Sequence, residues 1–110
     1  MSFFSFLRPD TLPAADFLAR LTEDDLVLDV RTPGEFAEGH MAGAVNIDVT
    51  APDFRRRVEA LDRSKTVYLY CRSGNRSGQA AQMLKALGFE NAHNVGGLID
   101  LARAGAPLER

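Results

Sequence analysis

The chain has no tryptophan and only one cysteine, Cys71, among its 110 residues. A lone cysteine cannot close an internal disulfide, form a dithiol pair or supply a cysteine-rich zinc site, and a reducing cytoplasm is the setting this implies. No apolar run approaches the roughly 20 residues of a membrane-spanning helix, so no membrane partner is expected. Charge of one sign is also scarce. Thirteen Lys and Arg against fifteen Asp and Glu leave a net charge of -2, which excludes the basic surface that nucleic-acid binding requires. The opening Met1-Ser2-Phe3-Phe4-Ser5-Phe6-Leu7 is apolar, but it lacks a positive n-region and a small-residue cleavage site, so it does not read as a signal peptide. No linker, repeat or low-complexity tract interrupts the chain. Residues 1–110 read as a single domain, with 1–12 an N-terminal arm or edge strand. A monomer is expected, with Phe3, Phe4 and Phe6 as the segment that would pair two chains if the arm is exposed.

What the chain does have is an alternation of short strands and helices. Ala14, Phe17, Leu18 and Leu21 repeat at helical spacing, which predicts a helix over Pro13–Leu21. Leu26-Val27-Leu28-Asp29-Val30 is a short, mostly apolar run that includes β-branched residues, and it predicts a buried strand. Thr32-Pro33-Gly34 predicts a turn, with one helical turn over 35–38. Ala44–Ile47 reads as a second core strand. Phe54, Val58 and Leu61 form the inner stripe of a charged helix over Pro52–Leu61. A strand over Thr66–Tyr70 and a helix over Gln79–Leu87 follow, the helix closed by Gly88. Asn91–Val95 is a last strand, and a helix runs from about Leu98 to Ala104. Strands alternating with helices at this spacing imply an α/β domain with a mostly parallel sheet, whose active residues lie beyond the carboxyl ends of the strands.

Cys71 falls at such an end, in Cys71-Arg72-Ser73-Gly74-Asn75-Arg76-Ser77, between a strand and a helix. The orphan N–H groups of a first helical turn and the helix dipole both favour an anion there, and two arginines add positive charge. This arrangement suits a nucleophilic thiolate, and its pKa is expected below the free value of about 8.5. Gly74 permits the positive φ that such a loop demands.

With these residues in view, the chain resembles the rhodanese domains, in particular the small single-domain sulfurtransferases. The resemblance is carried by Leu28-Asp29-Val30-Arg31 with Glu35-Phe36, by Gly39-His40-Met41-Ala42-Gly43-Ala44-Val45-Asn46-Ile47, by Tyr70 to Ser77, and by Leu87-Gly88-Phe89 with Val95-Gly96-Gly97. It implies a five-stranded, mostly parallel sheet flanked by helices on both faces, and chemistry without a metal or organic cofactor. It also implies that Cys71 takes a sulfane sulfur as a persulfide and passes it on. Thiosulfate would be a convenient donor, with cyanide or a thiol as acceptor, the latter carried by a small protein such as thioredoxin. One departure is Leu101, which stands where the family usually carries tryptophan.

Each loop residue also has a structural reading. Arg72 is expected to point outward to an anionic donor. Arg76 is expected either to bind substrate or to tie the loop to the domain, and Ser73, Asn75 and Ser77 to cap the helix and hold the loop. His40 and His93 read as structural histidines, and Asp29 with Arg31 as an ion pair at the rim. Two other activities stay open: a sulfur-carrier or protein-interaction module that does not turn over, and a cysteine-dependent phosphatase or arsenate reductase. By resemblance, phosphatases place five residues between Cys and Arg, whereas four separate Cys71 from Arg76, a loop that fits sulfur better than a phosphoryl group.

Overall fold

The computed structural model describes residues 11–110. The elements run in the order α1 (Ala14–Arg20), β1 (Leu26–Asp29), α2 (Pro33–Glu38), β2 (His40–Met41), β3 (Val45–Asn46), α3 (Phe54–Glu59), β4 (Val67–Cys71), α4 (Asn75–Ala86), β5 (Ala92–Gly97), α5 (Leu98–Arg103) and β6 (Leu108–Glu109). Four strands form a parallel sheet in the order β3-β1-β4-β5. β2 and β6 form a separate antiparallel pair. The expected N-terminal strand falls mostly on residues 1–10, outside the described residues. Of that arm or edge strand, residues 11 and 12 are described and lie in no strand; the Leu12 N–H donates to the Asn94 carbonyl at 2.8 Å.

The two-residue period of a strand sends alternate side chains to opposite faces, and β4 uses both. Val67, Leu69 and Cys71 face one way, with Leu28, Val30 and Ile47, and are covered by Phe54 and Val58 of α3 and by Ala80, Ala81 and Leu84 of α4. Tyr68 and Tyr70 face the other way, with Val27 and Val95, against Phe17 of α1 and Leu101 of α5. The sheet is therefore buried on both sides. Leu101 is fully buried there and fills this part of the core.

Several boundaries differ from the sequence expectation. Ala44–Ile47 shrinks to Val45–Asn46, and this is the sheet's edge, with Val45 48% exposed. The helix expected from Gln79 begins at Asn75, because the loop residues are already wound and the Gly78 N–H reaches the Gly74 carbonyl at 3.0 Å. The β2–β6 pair was not legible, because two-residue strands carry no periodicity.

The strand ends nearest Cys71 are fixed by polar contacts. Asp29 and Arg31 form a buried ion pair, with Arg31 Nη2 2.6 Å from Asp29 Oδ2 and 2.7 Å from the Gly39 carbonyl. The Arg31 guanidinium also lies 5.7 Å from the Tyr70 ring centroid. The Tyr70 hydroxyl accepts from the Met41 N–H at 3.0 Å, which ties β4 to β2. His40 stacks on Phe36 at 3.6 Å, and its Nδ1 lies 2.8 Å from the Phe36 carbonyl, a structural placement.

Candidate active site

β4 ends on Cys71, and α4 starts four residues later at Asn75, so the chain must reverse within Arg72-Ser73-Gly74. Gly74 makes the reversal at φ +97°, a backbone conformation that a Cβ disfavours. The turn aims the Gly74 N–H at Cys71 Sγ, 3.0 Å away. Ser77, one turn into α4, places its Oγ 3.4 Å from the same sulfur. Cys71 itself is fully buried. Burial pushes its thiol up, but the Ser77 hydroxyl and the backbone N–H groups of Ser77, Ser73 and Gly74 outweigh that effect, and the thiol is held below its ordinary value.

The helix N-cap is Gly74, and no side chain caps it. The expectation that Ser73, Asn75 or Ser77 would cap the helix is therefore corrected: the Ser77 hydroxyl turns inward, to Cys71 and to Asn94 Oδ1 at 2.7 Å.

The two loop arginines separate. Arg76 meets Glu35 of α2 in a two-pronged ion pair, Nη1 to Oε1 at 2.7 Å and Nη2 to Oε2 at 2.9 Å. Glu35 also accepts from the Thr32 N–H and hydroxyl, both at 3.1 Å, as part of a capping box that starts α2. Chiefly through Arg76, the Glu35 carboxyl is lowered to about 2. Arg72 is exposed and borders a groove of about 510 Å³ lined also by Glu38, Leu98, Ile99, Ala102 and Leu108. Ser73 and Asn75 are exposed beside it.

Three contributors were not identified as site residues from the sequence. Glu35 pairs across 41 positions with Arg76. Asn94, on β5, is 2% exposed and bonds to the Gly74 carbonyl through Nδ2 at 3.0 Å. Gly97 lies so close under the loop that a Cβ there would run into the Arg72 carbonyl and stand 3.1 Å from Ser73 Cα. The dipeptide Gly96-Gly97 was the available signal, since paired glycines after a strand mark close backbone approach.

No group of three or more His, Cys, Asp or Glu side chains among the described residues is arranged to hold a metal ion. No helix among them is long and apolar enough to cross a membrane. The candidate site is a buried sulfur facing the Gly74 N–H and the Ser77 hydroxyl, with Arg72 exposed nearby.

Comparison with known proteins agrees with this construction. The rhodanese-like domain family matches residues 13–100. A thiosulfate sulfurtransferase, PspE of Escherichia coli, is 37% identical over 75 residues, covering 68% of this chain and 72% of its own. A sulfurtransferase of Allochromatium vinosum is 38% identical over 88 residues, covering 79% and 80%. Among solved structures, the rhodanese-related protein of Thermoplasma volcanium superposes with a TM-score of 0.78 at 33% identity, over 90% of this chain and 96% of its own.

Proposed function

The chain belongs to the rhodanese-like domain family, and from that premise we propose that it is a sulfurtransferase whose Cys71 carries sulfane sulfur as a persulfide. The coarse activity is supported by relatives named thiosulfate sulfurtransferase and sulfurtransferase. The observation that carries the finer reading is the Gly74 N–H aimed at Cys71 Sγ at 3.0 Å, inside a loop with four residues between Cys71 and Arg76.

The chemistry has two displacements. The Cys71 thiolate attacks the outer sulfur of thiosulfate, a sulfur–sulfur bond forms to Cys71, and sulfite departs with the electron pair of the bond that breaks. An acceptor thiolate, or cyanide, then attacks the outer sulfur of the persulfide, and Cys71 leaves as the thiolate. Each step regenerates an anion in the loop, where N–H groups stabilise it without a proton being moved. A thiolate formed before the donor arrives needs no general base at the moment of attack, and the donors around Cys71 favour that form. In this reading Arg72, exposed at the groove, draws in the anionic end of the donor. Cys71 is the chain's one cysteine, so the persulfide must discharge to an outside acceptor, a thiol or a small protein such as thioredoxin.

The test is thiocyanate release from thiosulfate and cyanide by the protein and its Cys71→Ser variant. Wild-type activity that falls to background in the variant is the expected result. Activity surviving in the variant would reject the persulfide route. Complete burial of Cys71 favours one alternative, a carrier module that loads sulfur but turns over only with a specific partner. A mass increase of one sulfur atom per chain, with negligible thiocyanate release, would favour it.

A further inference from the structure

Two of the donors on Cys71 Sγ, the Gly74 N–H and the Ser77 hydroxyl, belong to residues that bond to one buried amide, Asn94. Its Nδ2 donates to the Gly74 carbonyl at 3.0 Å and to Thr11 Oγ1 at 3.4 Å, and its Oδ1 accepts from the Gly96 N–H at 3.0 Å. A carbonyl can only accept and a backbone N–H can only donate, so these partners fix which end of the amide is nitrogen. Oδ1 is therefore the atom that meets Ser77 Oγ at 2.7 Å.

We propose that Asn94 is a positioning residue for Cys71, its Nδ2 holding the Gly74 turn so that the Gly74 N–H stays on the sulfur. The inference rests on the nucleophilic role proposed for Cys71. Ser77 has one hydroxyl hydrogen and two acceptors, Asn94 Oδ1 and Cys71 Sγ. When the sulfur is a thiol, that hydrogen lies toward Asn94, and the S–H can donate to Ser77 Oγ. When the sulfur ionises, the hydrogen swings to it, and Asn94 Oδ1 keeps its bond from Gly96. No buried polar atom loses its last partner in either state, so the swing avoids the penalty of an unsatisfied group. Charged groups around the loop are already committed: Arg76, which is coupled to the sulfur, is held by Glu35, Arg31 is held by Asp29, and Arg72 borders the groove. Asn94 therefore acts on the sulfur through neutral donors.

The experiment is a pH titration of the thiolate's ultraviolet absorbance, with Cys71→Ser as the blank, in wild type, Asn94→Ala, Asn94→Asp, Ser77→Ala and the double variant Asn94→Ala/Ser77→Ala. Asn94→Ala is expected to move the Cys71 midpoint up by about one unit, the scale of a hydrogen bond to a charged group. Asn94→Asp sets an anionic oxygen against the Gly74 carbonyl, and its midpoint is expected to rise at least as far. It keeps nearly the same volume and carries the test if Asn94→Ala does not fold. Ser77→Ala alone is expected to raise the midpoint, and Asn94→Ala to raise it further in that background, where only the Gly74 route remains. An unmoved or lowered midpoint in the Asn94 variants would overturn the proposal, as would a double variant whose midpoint is no higher than that of Ser77→Ala. The titration needs no sulfur donor. Normal thiocyanate release with an unmoved midpoint rejects this inference alone, and a raised midpoint in a protein without turnover rejects the sulfurtransferase reading alone.

Discussion

The Glu35–Arg76 pair makes the stability of this domain depend on pH in a defined window. Its carboxyl falls from 4.5 to about 2 in the folded protein, chiefly because Arg76 donates two hydrogen bonds to it. Linkage at 1.36 kcal/mol per unit converts that difference to about 3 kcal/mol as an upper figure. Both side chains are about a quarter exposed, and solvent screening brings the expectation to roughly 1–2 kcal/mol. A depressed carboxyl stabilises the folded state fully above its unfolded pKa, and that contribution fades as pH falls from there toward the folded value. The window therefore runs from about 4.5 down to about 2. Glu35→Gln isolates it, because glutamine keeps an oxygen for the Thr32 N–H and so preserves the cap of α2. Urea unfolding of both proteins across a pH series supplies the assay, with the difference cancelling the other carboxylates. At pH values well above the window the variant is expected to be about 1–2 kcal/mol less stable. The gap should shrink as the pH is lowered through the window and close at its acid end. A gap of constant size across the series would refute the linkage, and would mean that the substituted amide disturbs packing instead of removing a charge interaction.

Two further outcomes follow from contacts in the core and under the loop. Gly97→Ala must displace the Arg72 carbonyl, so it is expected to cost about 1–3 kcal/mol and to slow sulfur transfer, whereas Gly34→Ala, with only the Thr32 hydroxyl oxygen within 4.0 Å, should leave transfer unchanged; urea unfolding and thiocyanate release check both. Tyr70→Phe removes the acceptor for the buried Met41 N–H and should lower stability by about 1–3 kcal/mol, read from urea unfolding, with an unchanged midpoint showing that the hydroxyl contributes nothing.

The parts of this structure that were legible in the sequence are those encoded locally. Val67 to Tyr70 is apolar on both faces because the strand is covered on both faces, and the Cys71 loop follows it within a few residues. What escaped was set by residues remote from one another. Nothing near Glu35 announces Arg76, and nothing near Asn94 announces Gly74, since each pairing exists only once α2, α4 and β5 converge. Ala44–Ile47 looked like a core strand because its composition is apolar, but composition alone does not distinguish an edge from a centre. The start of α4 was misplaced for a related reason. Serine, asparagine and glycine read as loop residues, yet the sulfur cradle needs helical backbone to aim its N–H groups, and the surrounding packing overrides propensity there.

The meeting of Gly74 with Gly96 and of Arg72 with Gly97 is contact of main chain with main chain. The cradle thus rests on main-chain contact together with the buried side chains of Ser77 and Asn94, while Arg72, Ser73 and Asn75 turn their side chains to solvent. Under the proposed function, nucleophile and selectivity are consequently separable traits in this domain. Exchanging those three side chains can retune which donor or acceptor is welcomed without moving the sulfur, so a family of altered preferences lies within a few substitutions of one fixed reactive centre.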